Sequence, residues 1–200
     1  MTIKRGDIVG RISYGKDILF IVDKIITIPK TEKLVILKGL NCRIEADSYI
    51  NDLELIDKAA VNKEIKLYQE DINKRINEVK LEVNPKRQKV YTGKILHLDG
   101  DRKYAEKSAR YYNKIGLNGI VKNIPENRQS SVILSLLNKY NPDILIITGH
   151  DAMLKNGSNY SNIYNYRNSR HFINTVKEAR KWGKTSDKLV IFARCMPKFF

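Results

Sequence analysis

Only two cysteines, Cys42 and Cys195, occur in 200 residues, too few for a disulfide scaffold. Histidine is equally sparse. His97, His150 and His171 show no spacing typical of zinc ligation, and neither a Walker loop nor a GxGxxG fingerprint is present. No nucleotide, metal or other cofactor is therefore expected. Apolar runs stay well short of the roughly 18 residues a transmembrane helix needs, so no membrane span is expected. The opening MTIKRGDIVG lacks the apolar core and small-residue cleavage site of a secretory signal, which points to a cytoplasmic chain.

Acidic residues are also in short supply. Against 37 Lys+Arg stand 22 Asp+Glu, a formal net charge of +15. Such a balance favours polyanions: nucleic acid, anionic membrane or acidic proteins. The basic residues are spread along the chain and form no stripe, as on a solvated lysine-rich surface. A basic module that binds nucleic acid or protein without catalysis is the alternative this charge keeps open. The hydrophobic fraction of 42% is enough for a buried core.

The pattern along the chain changes twice. Residues 1–56 read as short β-branched strands such as DILFIVDKIITI and KLVILKG, punctuated by Gly6, Gly10, Gly15 and Gly39, with a turn over Pro29 to Lys33. They suit a small antiparallel barrel of the SH3-like kind. Residues 57–91 form a helical connector and basic linker: apolar residues at helical spacing from Ala59 to Leu81, a stop at Asn84-Pro85, then NPKRQKVY. Residues 92–200 alternate strand and helix. GKILHLDG, NGIVKNI, DILIITGHDA and KLVIFA read as strands, separated by helices that close at Gly116, at Asn141-Pro142 and near residue 182. Alternation of this kind implies a parallel sheet with right-handed crossovers. The fold class expected is two-domain α+β: SH3-like barrel, helical connector, then a small α/β parallel-sheet domain that looks unfinished.

Catalytic groups in open parallel sheets gather outside the carboxyl ends of the strands. Three such ends carry chemistry: HLDGD, TGHDA and IFARC. His150, after ILIIT and Gly149, is placed to act as a general base, or simply to close the following loop. Asp151 is a poor candidate to orient it, since adjacent side chains point apart; His97 is the next base in line. Cys195 ends the following strand, and a thiol beside an imidazole can form a reactive thiolate. His and Cys at the ends of neighbouring strands, His upstream, is the arrangement of caspase-like peptidases. Asp99 and Asp101 lie in the loop after the first of these strands. They could receive a basic substrate side chain, or Asp101 could N-cap the next helix.

The runs GKILHLDGD, NKIG, PDILIITGHDA, YRNSRHF and DKLVIFA, together with GDIVGRISYGKDILFIV and ADSYINDL near the start, resemble the YabG family of sporulation proteases over residues 3–193. The resemblance implies a cysteine-type endopeptidase that processes spore coat proteins in the sporulating cell, with His150 of TGHD in the catalytic pair. Spore coat proteins are then its expected partners. The family pattern continues after the last strand as Ala-Gly-Ala-Cys-Gln-Ser and through a further C-terminal part. Here residues 193–200 read Ala193-Arg194-Cys195-Met196-Pro197-Lys198-Phe199-Phe200. One inserted base converts GCN GGT GCA TGC CAA AGT TT into GCN AGG TGC ATG CCA AAG TTT, which encodes residues 193–199. The expectation is therefore a truncated, frameshifted end, with the family's cysteine falling at the position of Met196 and Cys195 a product of the shifted frame.

Overall fold

The computed structural model describes residues 2–27, 33–82, 92–152, 162–182 and 189–198. The expected turn at Pro29 to Lys33 and the linker NPKRQKVY fall wholly or largely outside them. The chain divides into two compact units. The first comprises residues 1–74 with 197–200, the second residues 75–196.

The first unit is an antiparallel sheet of five strands: β1 (Ile8–Arg11), β2 (Leu19–Ile26), β3 (Leu34–Gly39), β4 (Glu45–Tyr49) and β5 (Leu53–Leu55). Within the unit they run in the order β5-β1-β2-β3-β4. Alternation places Val9, Phe20, Val22, Val35, Leu37, Ala46 and Leu53 on one buried face. No pairing of β5 with β4 occurs among the described residues, so the sheet is antiparallel without an observed closure. Asp52 knits its end together by accepting from Ser13 N–H and Oγ, Ser48 Oγ and Arg11 Nε. Burial alone would raise its carboxyl, but these bonds outweigh it and hold the group below the ordinary carboxylate value. The helix α1 (Lys58–Glu82) follows, uninterrupted as its lack of Pro and Gly demands.

The second unit is built from β6 (Ile95–Asp99), α2 (Arg102–Ile115), β7 (Gly119–Asn123), α3 (Glu126–Tyr140), β8 (Ile144–Ala152), α4 (Ser169–Trp182) and β9 (Val190–Lys198). Its strands lie in the order β9-β8-β6-β7, and β6 is parallel to both β7 and β8. All five residues of β6 are buried, the polar His97 and Asp99 among them. Leu96 and Leu98 pack with Leu145 and Ile147 under Ile133 and Leu137 of α3 and Phe172 and Ala179 of α4. The alternate residues of β6 face α2, where His97 meets Tyr112. Two helices end where the sequence allows a left-handed residue, Gly116 at φ 75° and Asn141 at φ 42°.

Candidate active site

The carboxyl edge of the parallel sheet receives two chains in step. Asp99 of β6 pairs with Thr148 of β8. The residues two places further along each chain, Asp101 and His150, therefore come level. Their side chains meet, with Asp101 Oδ2 3.1 Å from His150 Nε2. The other oxygen, Oδ1, accepts from the N–H groups of Lys103 and Tyr104 and so caps α2. One carboxylate thus starts a helix and holds an imidazole. The Tyr104 ring meets that imidazole edge-on, centroids 6.1 Å apart. His150 Nδ1 is buried and has no hydrogen-bond partner among the described residues. A buried nitrogen left without a partner costs free energy.

The backbone of His150 is clamped on both sides. Its N–H donates to Glu126 Oε1 at 2.8 Å, and its carbonyl accepts from Asn168 Nδ2 at 2.7 Å. Asp151 is buried and turned the other way. It accepts from Asn168 N–H and from the Ser169 hydroxyl, fixing the start of α4, and it is Asp101 that orients His150. Glu126 lies against the backbone of Gly100 and Gly149. A Cβ at Gly100 would strike its carboxylate, and one at Gly149 would strike both it and Phe172. Close approach of a side chain is the reason for glycine at these two positions.

A second polar group lies behind the first. His97 and Asp99 are buried, at 5% and 1% exposure. Asp99 Oδ1 accepts from Asp101 N–H, and Oδ2 accepts from the Thr148 hydroxyl, both at 2.7 Å. Thr148 Oγ1 lies 2.8 Å from His97 Nε2, and the Tyr112 hydroxyl 3.0 Å from His97 Nδ1. Burial, reinforced by the charge of Asp99, pushes the Tyr112 phenol up to about 12.

Of the residues singled out from sequence, His150 and Asp101 are brought together. Asp99 stands behind them with both oxygens engaged inside the fold, so Asp101, its side chain 31% exposed, is the carboxylate of that pair open to solvent. His97 sits in the core, away from the edge. Cys195 belongs to β9, the neighbour of β8, and its side chain is outside the described residues. Cys42 belongs to the first unit. Burial pushes its thiol up, the opposite of what activates a nucleophile. Among the described residues no cluster of three or more His, Cys, Asp and Glu could hold a metal. No described helix is long and apolar enough to cross a membrane.

An Asp-held histidine thus lies at the carboxyl edge of the parallel sheet, and comparison with known proteins gives the class. Residues 4–199 match the family described as YabG peptidase U57, and the chain belongs to that family of sporulation proteases. It is similar to the sporulation-specific protease YabG of Bacillus subtilis (strain 168), with 36% identity over 216 residues covering all of this chain and 74% of the relative. No solved structure matches it.

Proposed function

We propose that this peptidase is of the cysteine type and cleaves spore coat proteins in the sporulating cell, with His150 as its general base. The observation that carries the reading is the pairing of His150 Nε2 with Asp101, which leaves Nδ1 buried with no hydrogen-bond partner among the described residues. An imidazole held by a carboxylate at one nitrogen keeps its proton there and offers the other nitrogen to the reaction. Nδ1 takes the thiol proton, and the thiolate sulfur attacks the scissile carbonyl. Backbone N–H groups near the nucleophile receive the oxyanion. His150 then returns the proton to the leaving amine as the C–N bond breaks, and water hydrolyses the thioester.

The thiol comes from the end of β9. One hydrogen bond, Val190 N–H to the Asp143 carbonyl, ties the start of β9 to β8. Taken as a parallel pair, counting along both strands from that bond brings position 196, not 195, level with His150. That count favours the position where the family's reading frame places its cysteine. The four-stranded order with helices on both faces supports a caspase-like reading of this unit. In the first unit, β1 between β5 and β2 and a 3-10 turn over Ile50–Asp52 before β5 support the SH3-like reading.

The test compares the chain as written with a frame-restored chain carrying Arg194→Gly, Cys195→Ala and Met196→Cys and continuing in the family's frame. Each is incubated with spore coat precursors before and after thiol alkylation. Cleavage by the restored chain, abolished by alkylation, is expected. Equal cleavage by the chain as written, lost on Cys195→Ala, assigns the nucleophile to Cys195. Cleavage that survives alkylation in both excludes a cysteine mechanism.

A further inference from the structure

The polar chain behind Asp101 is not used by the chemistry above. Its proton inventory gives it a direction. Thr148 has one hydroxyl proton, and at 2.7 Å it donates to Asp99 Oδ2. The Thr148 oxygen, 2.8 Å from His97 Nε2, then accepts from Nε2–H. His97, protonated at Nε2, accepts the Tyr112 O–H at Nδ1. Every donor thus points toward the Asp99 carboxylate, whose second oxygen takes the N–H of Asp101. Asp101 is the residue that touches His150.

We propose that Tyr112, His97, Thr148 and Asp99 form a directed hydrogen-bond chain that positions Asp101 on His150, with Asp99 as the positioning residue at its end. The inference rests on the reading of His150 as the base, which it deepens. Asp101 sits in the short turn between β6 and α2. Its cap bonds fix it to α2, and through its backbone N–H the Asp99 carboxylate fixes it to β6. A buried carboxylate held by several donors is a rigid acceptor, and rigidity behind a catalytic group keeps it in productive geometry. Filling the same space with apolar side chains would keep the packing and lose the anchor.

The experiment reads imidazole nitrogens by 15N NMR in the whole chain. His97 and His150 are both expected as Nε2–H tautomers. Asp99→Asn keeps the shape and reverses the chain. The amide oxygen still accepts from Asp101 N–H, but the amide NH₂ donates to Thr148, Thr148 donates to His97 Nε2, and His97 moves its proton to Nδ1. That tautomer switch at His97, with His150 unchanged, is the expected result, and a role limited to packing would not produce it. Thr148→Val cuts the chain. His150 should lose its fixed tautomer, and in the frame-restored enzyme kcat should fall roughly tenfold or more at unchanged KM, with recovery in Thr148→Ser. A His97 that carries its proton on Nδ1 in the native chain, or a Thr148→Val variant with native His150 tautomer and kcat, overturns the proposal. If Thr148→Val fails to fold, Thr148→Ala takes its place with the same two readouts, the His150 tautomer and kcat. Failure of the base reading looks different: His150→Ala would still cleave while the tautomer switch at His97 persists.

Discussion

Asp101 Oδ2 lies 3.1 Å from His150 Nε2, although 49 residues separate them in the chain. The contact follows from register. Two parallel apolar strands, paired from Ile95 with Ile144 to Asp99 with Thr148, deliver their next residues to the same edge at the same height. The carboxylate is committed twice, to the first turn of α2 and to the imidazole.

That double commitment can be taken apart by substitution. Asp101→Asn keeps a good N-cap and loses the charge on His150. A hydrogen bond to a charged group contributes about 1.5–3 kcal/mol, so kcat/KM for peptide cleavage should fall roughly ten- to hundredfold with little change in thermal stability. Asp101→Ala should also lose about 1 kcal/mol of stability with the cap. The loss in Asp101→Asn should be alike for peptides with Arg or Leu before the scissile bond. A selective loss on Arg peptides would instead make Asp101 a receptor for the substrate side chain.

Gly100→Ala should destabilise the second unit by about 1–3 kcal/mol, because the new Cβ collides with the Glu126 carboxylate and with nothing else nearer. Glu126→Ala in the same chain should remove most of that penalty. Urea denaturation of both single variants and the double variant measures the coupling. Additive effects would mean that the strain at Gly100 arises elsewhere.

Tyr112 should shape the alkaline limb of stability. Its phenol is pushed up to about 12 in the fold, chiefly by burial, whereas an unfolded tyrosine titrates near about 10. The unfolded chain releases this proton first. The contribution is therefore complete below about pH 10 and is lost as the pH rises toward about 12. Tyr112→Phe cannot titrate, so its stability measured against native protein across that range should fall less steeply. An identical slope in the variant would show that the phenol titrates normally in the fold.

Much of this was legible in the sequence, and the limits have physical causes. The α/β rhythm was visible because β6, buried throughout, and β8, buried or half-buried along its described length, read as short, largely apolar runs, while Gly116 and Asn141-Pro142 mark helix ends. His150 stood out by its place after ILIIT. Its partner did not. Asp151 is the sequence neighbour, but successive strand residues face opposite sides, so Asp151 turns to α4 while His150 turns to α2. Aligning ILHLD with ILIIT would have put Asp101 level with His150; no local spacing does. Glu126 gave no signal, since a glutamate in a first helical turn looks like an ordinary response to the helix dipole. His97 was named as the second candidate base, but its bonds and those of Thr148 were hidden for a related reason, since they span tertiary contacts between β6, β8 and α2.

The most direct measurement is the turnover of a spore coat precursor by the frame-restored enzyme with and without His150→Ala, the two folds compared by circular dichroism and urea denaturation. Loss of His150 should lower kcat by at least about 10²-fold, the least expected of a positioned general base, while the fold is retained. A His150→Ala enzyme that keeps near-native turnover would contradict the assignment of this histidine as the base.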